Sequence, residues 1–294
     1  MNREELRKRI SEGILVLDGA MGTELMRAGL PQGIIPEEWV LEKPEMIGAV
    51  NAGYAGAGSD AVYSCTFGAN RINLTRHGLA GKVAEVNRAG VAIARKAAGA
   101  GRHVFGSVGP IGELLEPYGD IPEEDARVAF REQVEALVSA GVDALVSESN
   151  TCLPEAVLAV TAARAAGNIA IIATMTFEGA DKAYRTVMGT TPEQAAEELL
   201  KAGADAVGVN CGRGGADALE VIRRMRSAHP GVILVAKPNA GLPTLVGGKL
   251  NYATGPGDFA REGLALRDAG ARILGGCCGT TPAHLKALVN ALKD

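Results

Sequence analysis

Short apolar runs alternate along this chain with longer segments whose apolar residues recur at helical spacing. Eight runs read as buried strands, at 14–17, 61–65, 104–108, 144–147, 170–174, 206–210, 233–236 and 272–275. The segment 122–140 places Ala126, Ala129, Phe130, Val134, Leu137 and Val138 on one helical face. Thr191-Pro192-Glu193-Gln194 predicts a helix start, with threonine at the N-cap, proline at the first position and glutamine at the third; Thr281-Pro282 opens the last helix in the same manner.

One phrase recurs at the joints. Gly56-Ala57-Gly58-Ser59-Asp60 is echoed by Ala140-Gly141-Val142-Asp143 and by Ala202-Gly203-Ala204-Asp205, with Ala269-Gly270-Ala271-Arg272 as a looser copy. Each reads as a helix end, a glycine able to turn left-handed, a tight turn and a buried strand. That is the helix-to-strand joint of a parallel α/β protein. Eight such strands within 294 residues predict one (β/α)8 TIM barrel over 1–294, with its site at the C-terminal face of the strands. A doubly wound open sheet is the competing arrangement, but no strand–GxGxxG–helix unit and no Walker A sequence occurs.

Composition narrows the function classes. Net charge is −4 with no basic cluster, and aromatics are 4% of the chain, so neither nucleic acid nor an anionic membrane is an expected partner. No apolar stretch is long enough to cross a bilayer, and the charged start Met1-Asn2-Arg3-Glu4-Glu5 has no apolar core after it. Five cysteines without framework spacing fit a reducing compartment, and a cytoplasmic location is expected.

If the strands form a barrel, chemistry belongs where they end. Those points carry Asp18, Cys65-Thr66, Gly109-Pro110, Glu148, Met175-Thr176-Phe177, Cys211, Pro238-Asn239 and Cys277-Cys278. Three thiolates from two strand ends, Cys211, Cys277 and Cys278, would make a zinc site with one open position. Adjacent residues of an extended strand face opposite ways, so Cys277 and Cys278 can share one ion only if the chain bends, for which Gly275, Gly276 and Gly279 give freedom. Buried packing thiols and a vicinal disulfide are the competing readings. Cys152, at a helix start, reads as a packing residue. Asp18 and Glu148 are carboxylates beside apolar strands. They suit either structural ion pairs or recognition of a cationic group such as a substrate ammonium. His77, His103, His229 and His284 fall in helices or polar turns by this reading, away from strand C-termini, and receive no role.

Taken in order, Asp18-Gly19-Ala20-Met21-Gly22-Thr23-Glu24, Cys65-Thr66-Phe67-Gly68-Ala69-Asn70, Phe105-Gly106-Ser107-Val108-Gly109-Pro110, Met175-Thr176-Phe177, Val209-Asn210-Cys211, Pro238-Asn239-Ala240-Gly241 and Gly275-Gly276-Cys277-Cys278-Gly279-Thr280-Thr281-Pro282 resemble the homocysteine S-methyltransferase family. The likeness is greatest to the homocysteine-binding module of cobalamin-dependent methionine synthases. The resemblance implies a zinc-binding TIM barrel with Cys211, Cys277 and Cys278 as ligands and one zinc per chain. It implies Asp18 and Glu148 near the substrate ammonium, backbone N–H groups around Thr66 for the substrate carboxylate, and Asn239 beside the metal. Homocysteine would be the methyl acceptor and methionine the product.

Two positions depart from the family pattern: Cys65 stands where an asparagine is usual, and Ser149 where a threonine or aromatic is more common. The chain reaches Asp294 shortly after its last helix, so the expected donor is a separate methyl-corrinoid protein carrying methylcobalamin. A free donor such as S-methylmethionine is the alternative; betaine is disfavoured by the scarcity of aromatics for a cationic cage. Two competing functions remain, a zinc hydrolase and a non-catalytic zinc or thiol sensor.

Overall fold

The computed structural model describes residues 1–179, 183–247 and 249–293. Its strands are β1 (Leu15–Val16), β2 (Ala61–Tyr63), β3 (His103–Val108), β4 (Ala144–Asn150), β5 (Ala170–Met175), β6 (Ala206–Cys211), β7 (Ile233–Pro238), β8 (Pro243–Val246), β9 (Lys249–Tyr252) and β10 (Ala271–Leu274). Eight of them lie parallel in the order β1-β10-β7-β6-β5-β4-β3-β2. The order never reverses, which rules out the doubly wound sheet and gives the expected TIM barrel. All eight expected strands are present, with ends shifted by a few residues.

Side chains alternate between two cores, as the two-residue period of a strand requires. Leu15, Ala61, Tyr63, Phe105, Ala144, Val146, Ala170, Ile172, Ala206, Val235 and Ile273 share one buried cluster inside the ring. Their neighbours Val62, Val104, Leu145, Ile171, Val207 and Leu234 join the larger cluster between strands and helices. Each fully buried Leu, Ile or Val contributes about 1.5–3 kcal/mol. The bottom of the ring is plugged by the helix Arg3–Ser11, whose Leu6 is fully buried in the inner cluster. The Asn2–Glu5 capping box starts this helix, and the Ala170 N–H donates to the Met1 carbonyl at 2.9 Å.

The recurring joint behaves alike in three copies. Gly58, Gly141 and Gly203 have φ of +103°, +83° and +111°, values that a side chain would oppose. Each following aspartate then makes a two-way clasp with a neighbouring strand. The N–H groups of Val16, Val104 and Ile171 donate to Asp60, Asp143 and Asp205 at 2.7, 2.7 and 2.9 Å. The aspartate N–H groups donate back to the carbonyls of the same residues, each at 2.7 Å. Asp60 thereby joins β1 to β2, the two ends of the sheet order. The fourth copy has Arg272 in place of aspartate, and there the β10–β7 register shifts between Ala271 and Ile273.

Two elements escape the sequence pattern. β8 and β9 form an antiparallel hairpin between β7 and the helix Pro256–Asp268. His103 is the first residue of β3 rather than part of a helix or turn. It stands at the end of the barrel opposite the expected site, consistent with its having no catalytic assignment.

Candidate metal centre

β6 and β7 remain paired as far as Cys211 and Pro238. β10 is followed by an extension of the ladder: the Gly275 N–H donates to Ala236 O at 3.0 Å and the Cys277 N–H to Pro238 O at 2.9 Å. A turn follows at once, closed by Thr280 N–H to Cys277 O at 3.1 Å with Gly279 at φ +83°. This is the bend that the paired cysteines require. A Cβ on Gly279 would also lie 2.2 Å from the Tyr252 ring, so glycine lets the hairpin tyrosine pack over the turn.

The result gathers the Sγ atoms of Cys211, Cys277 and Cys278 within 4.8 Å of one another. Cys211 and Cys277 approach to 2.8 Å. All five cysteines are free thiols, so the vicinal disulfide is not formed. Cys152 is the N-cap of the helix Leu153–Ala165, as expected. The loop 18–23 braces the turn: Gly276 N–H donates to Asp18 O at 2.9 Å and Gly279 N–H to Thr23 Oγ1 at 3.1 Å. Thr280 Oγ1 receives the Ala20 N–H at 3.1 Å and donates to Cys277 O at 2.7 Å. The two distant phrases therefore build one substructure.

Hydrogen bonds from Cys211 and Cys277 hold the Cys278 thiol down at about 3, while Cys211 is pushed well above the usual thiol range by its bonds to Cys277 and Cys278. Burial and the charge of Cys278 lift Tyr252 to about 12. Asn239 lies between the cysteine-bearing segments. Its N–H donates to Cys211 O at 3.3 Å, and the next residue's N–H, from Ala240, donates to Cys278 O at 3.0 Å. Its Nδ2 donates to Gly212 O at 2.8 Å, whereas its Oδ1 is buried with no protein partner among the described residues. The three soft sulfurs of Cys211, Cys277 and Cys278 fit a zinc-type donor set, and the orphaned Asn239 oxygen leaves an acceptor in the segment beside them.

Beneath the sulfurs lies a polar layer. Asp18 is buried, and both its oxygens are engaged: Oδ1 accepts from Lys237 Nζ at 2.9 Å and Oδ2 from the Tyr63 N–H at 2.7 Å. Lys237 also sits 3.5 Å from the Tyr63 ring centroid. Glu148 is buried too and accepts from Ser107 Oγ at 2.6 Å. Burial, reinforced by the negative charge at Cys277, raises its carboxyl to about 7 against the opposing pull of Lys237.

Thr66 is fully buried, with Oγ1 donating to Ser107 O at 2.8 Å and its carbonyl accepting from Gln133 Nε2 at 2.7 Å. Its own N–H is taken by Ser64 O, but the N–H groups of Cys65 and Phe67 on either side donate to no protein acceptor among the described residues. Burial and the nearby Glu37 push the Cys65 thiol well up, so it is an inert packing group.

Sequence reasoning missed Lys237, Ser107, Asn210 and Tyr252 as parts of this site. Lys237 had a signal, a lone cation in the apolar run Ile233-Leu234-Val235-Ala236. Tyr252 had none, because its neighbours Leu245, Leu250 and Asn251 are exposed and no period marks a buried face.

Exposed apolar side chains gather in the loops after the strands. Among the described residues, the exposed large hydrophobics are Met26, Phe67, Leu114, Tyr118, Val187, Met188, Leu242, Leu245 and Leu250. Met26 lies in the short helix Gly22–Arg27, and the other eight fall in segments joining a barrel strand to its following helix.

A family model described as homocysteine S-methyltransferase matches residues 15–292. A methionine synthase of Mycobacterium tuberculosis is 33% identical over 97% of this chain, and one of Mycobacterium leprae is 30% identical over 98%. The chain spans about a quarter of the length of these relatives. The metallated form of the Escherichia coli homocysteine methyltransferase MmuM is 27% identical with a TM-score of 0.77, covering 94% of this chain and 95% of that one. A Methanosarcina mazei methyltransferase, at 13% identity and a TM-score of 0.60 over 96% of this chain and 94% of its own, shares the fold alone.

Proposed function

This chain belongs to the homocysteine S-methyltransferase family, and from that premise we propose that it forms methionine by moving a methyl group onto the thiol of homocysteine at a zinc centre. The observation that carries the reading is the convergence of Cys211, Cys277 and Cys278 within 4.8 Å beside the buried Glu148. A free thiol titrates at about 8.5. Zinc held by the three sulfurs would keep a substrate thiol ionised at neutral pH.

The protein's own groups then bind and orient. Glu148, with only a neutral hydroxyl on it, receives the substrate ammonium. Asp18 shares that rim, but Lys237 already occupies it, so its part is to hold Lys237 and the Tyr63 backbone. The N–H groups of Cys65 and Phe67, flanking Thr66, suit the substrate carboxylate. Asn239, whose Oδ1 has no partner among the described residues, would lie beside the metal and offer it an oxygen in the absence of homocysteine. The sulfur forms a C–S bond while the donor–methyl bond breaks and its electron pair leaves with the donor; the thiol proton departs to solvent. The centre needs no histidine base.

The donor we favour is methylcobalamin carried by a separate corrinoid protein or domain. Support comes from the exposed apolar side chains of the loops after the strands, which suit a macromolecular partner better than a small polar donor, and from the likeness to methionine synthases. The test supplies zinc-loaded protein and homocysteine with methylcobalamin, S-methylmethionine, betaine or S-adenosylmethionine in turn. Methionine from methylcobalamin alone is the expected result. Product only from S-methylmethionine overturns the donor assignment. Zinc release on mild oxidation, with no methionine from any donor or corrinoid protein, replaces the enzyme with a thiol sensor.

A further inference from the structure

Asn210 is fully buried at the end of β6, immediately before Cys211. Its amide is oriented by what surrounds it. Oδ1 accepts from the Ser149 N–H and from Thr174 Oγ1, both at 2.8 Å. A backbone N–H can only donate, so the atom facing it must be the carbonyl oxygen and Nδ2 must face the other way. One Nδ2 hydrogen goes to Ser149 Oγ at 2.7 Å. The other is directed at the cysteines, with Cys211 Sγ at 3.7 Å and Cys277 Sγ at 3.8 Å. Ser149 Oγ, already accepting from Asn210, lies 3.5 Å from Cys211 Sγ and has its own hydrogen left to give.

Backbone conformation points to the same unit. Ser149 and Cys211 both have φ of +59°, in the left-handed region that disfavours residues with side chains. Each such residue is strained and persists only where its surroundings over-determine it. Asn210 adjoins one of them and is hydrogen-bonded to the other through both ends of its amide.

We propose that Asn210, with Ser149 as relay, is a positioning residue for the metal centre, giving N–H···S and O–H···S hydrogen bonds to the Cys211 and Cys277 sulfurs. The inference rests on the reading of the three cysteines as metal ligands. Three thiolates on a divalent cation already leave the centre net negative, and a fourth from substrate adds to that. Neutral donors offset part of the charge without competing for the metal, and they fix the direction of two sulfurs. Within this network Cys278 receives none of these bonds, so the three ligands are inequivalent. Ser149, one of the departures from the family pattern, is thereby assigned to the sulfurs rather than to the amino-acid end of the substrate.

The test compares zinc affinity, by competition with a chromophoric chelator, and the sulfur-to-cobalt charge-transfer absorption of the Co2+-loaded protein. Asn210→Asp keeps both accepted hydrogen bonds but sets an anion against two sulfurs. It is expected to bind zinc roughly 10- to 100-fold more weakly, with a displaced charge-transfer band. Ser149→Ala removes only the relay hydroxyl and is expected to weaken zinc several-fold and move the band in a fold that is otherwise intact; it decides the matter if Asn210→Asp does not fold. Affinities within twofold of the parent and an unmoved band overturn the inference while leaving the metal reading in place. A parent that takes up no zinc removes both.

Discussion

The two ends of this barrel are built on opposite plans. At the bottom, three copies of one joint repeat the same glycine turn and the same aspartate clasp, and a helix fills the hole with Leu6. At the top nothing repeats. Three non-glycine residues, Ser149, Tyr184 and Cys211, stand in left-handed conformations, and a buried lysine and two buried carboxylates lie beneath three half-buried thiols. Regularity at one end supplies the stability that the irregular end draws on. Damage at the bottom should therefore be felt as lost stability, and damage at the top as lost chemistry.

The largest test of that division is Cys277→Ser. Zinc content should fall from about one per chain to near zero and methionine formation with it, with metal affinity down by more than about 100-fold and little change in the melting temperature of the metal-free protein. Elemental analysis and calorimetry check both halves. Asp205→Ala is its mirror image. Asp205 has a fully buried side chain that accepts from Ile171 N–H and pairs with Arg164 and Arg3. Removing it leaves the buried Ile171 N–H unpaired and should cost about 1–3 kcal/mol in denaturant unfolding, while zinc affinity of the folded protein stays at the parent value.

Glu148→Gln probes a group on which both stability and binding depend. The Glu148 carboxyl is raised from 4.5 to about 7 by burial. The folded state therefore favours the protonated form. Its contribution is fully present below the unfolded value and is lost as pH climbs through about 7. The variant should gain on the order of 2–3 kcal/mol over the parent at pH 8 and almost nothing at pH 4. Substrate ammonium favours the ionised carboxylate, so homocysteine affinity in the parent should fall as pH drops below about 7, a slope that the variant loses. The smallest effect is expected from Leu245→Ser on the hairpin, which should change stability by less than about 0.5 kcal/mol and leave zinc untouched. It should slow methyl transfer from a corrinoid protein but not from free methylcobalamin.

The same contrast explains what the sequence disclosed. Parallel strands buried on both faces read as unbroken apolar runs, and the joint between helix and strand repeats its glycine and aspartate, so the eight strands and their closure into a barrel were legible. The hairpin at 243–252 was not, because Leu245 and Leu250 are exposed and no period marks a buried face. The three cysteines were legible as a set because two of them sit in a glycine frame. The partner of Asp18 was not: Lys237 lies far along the chain, inside a run that otherwise looks like plain strand. Asn210 could not be read at all, since its role depends on a left-handed Ser149 that no local residue preference announces.

The seam between β1 and β10 sets an order of assembly. Asp60 clasps β1 to β2, and β2 to β7 can add one after another, but β10 must return to the start of the chain to meet β1, where Leu15 pairs with Ile273. Shutting the ring is therefore the step with the greatest loop-closure cost and should come last. Asp18 and the loop that braces the cysteine turn travel with β1. A newly synthesised chain should thus acquire its full grip on zinc only on completing the circle, which makes metal uptake a readout of finished folding.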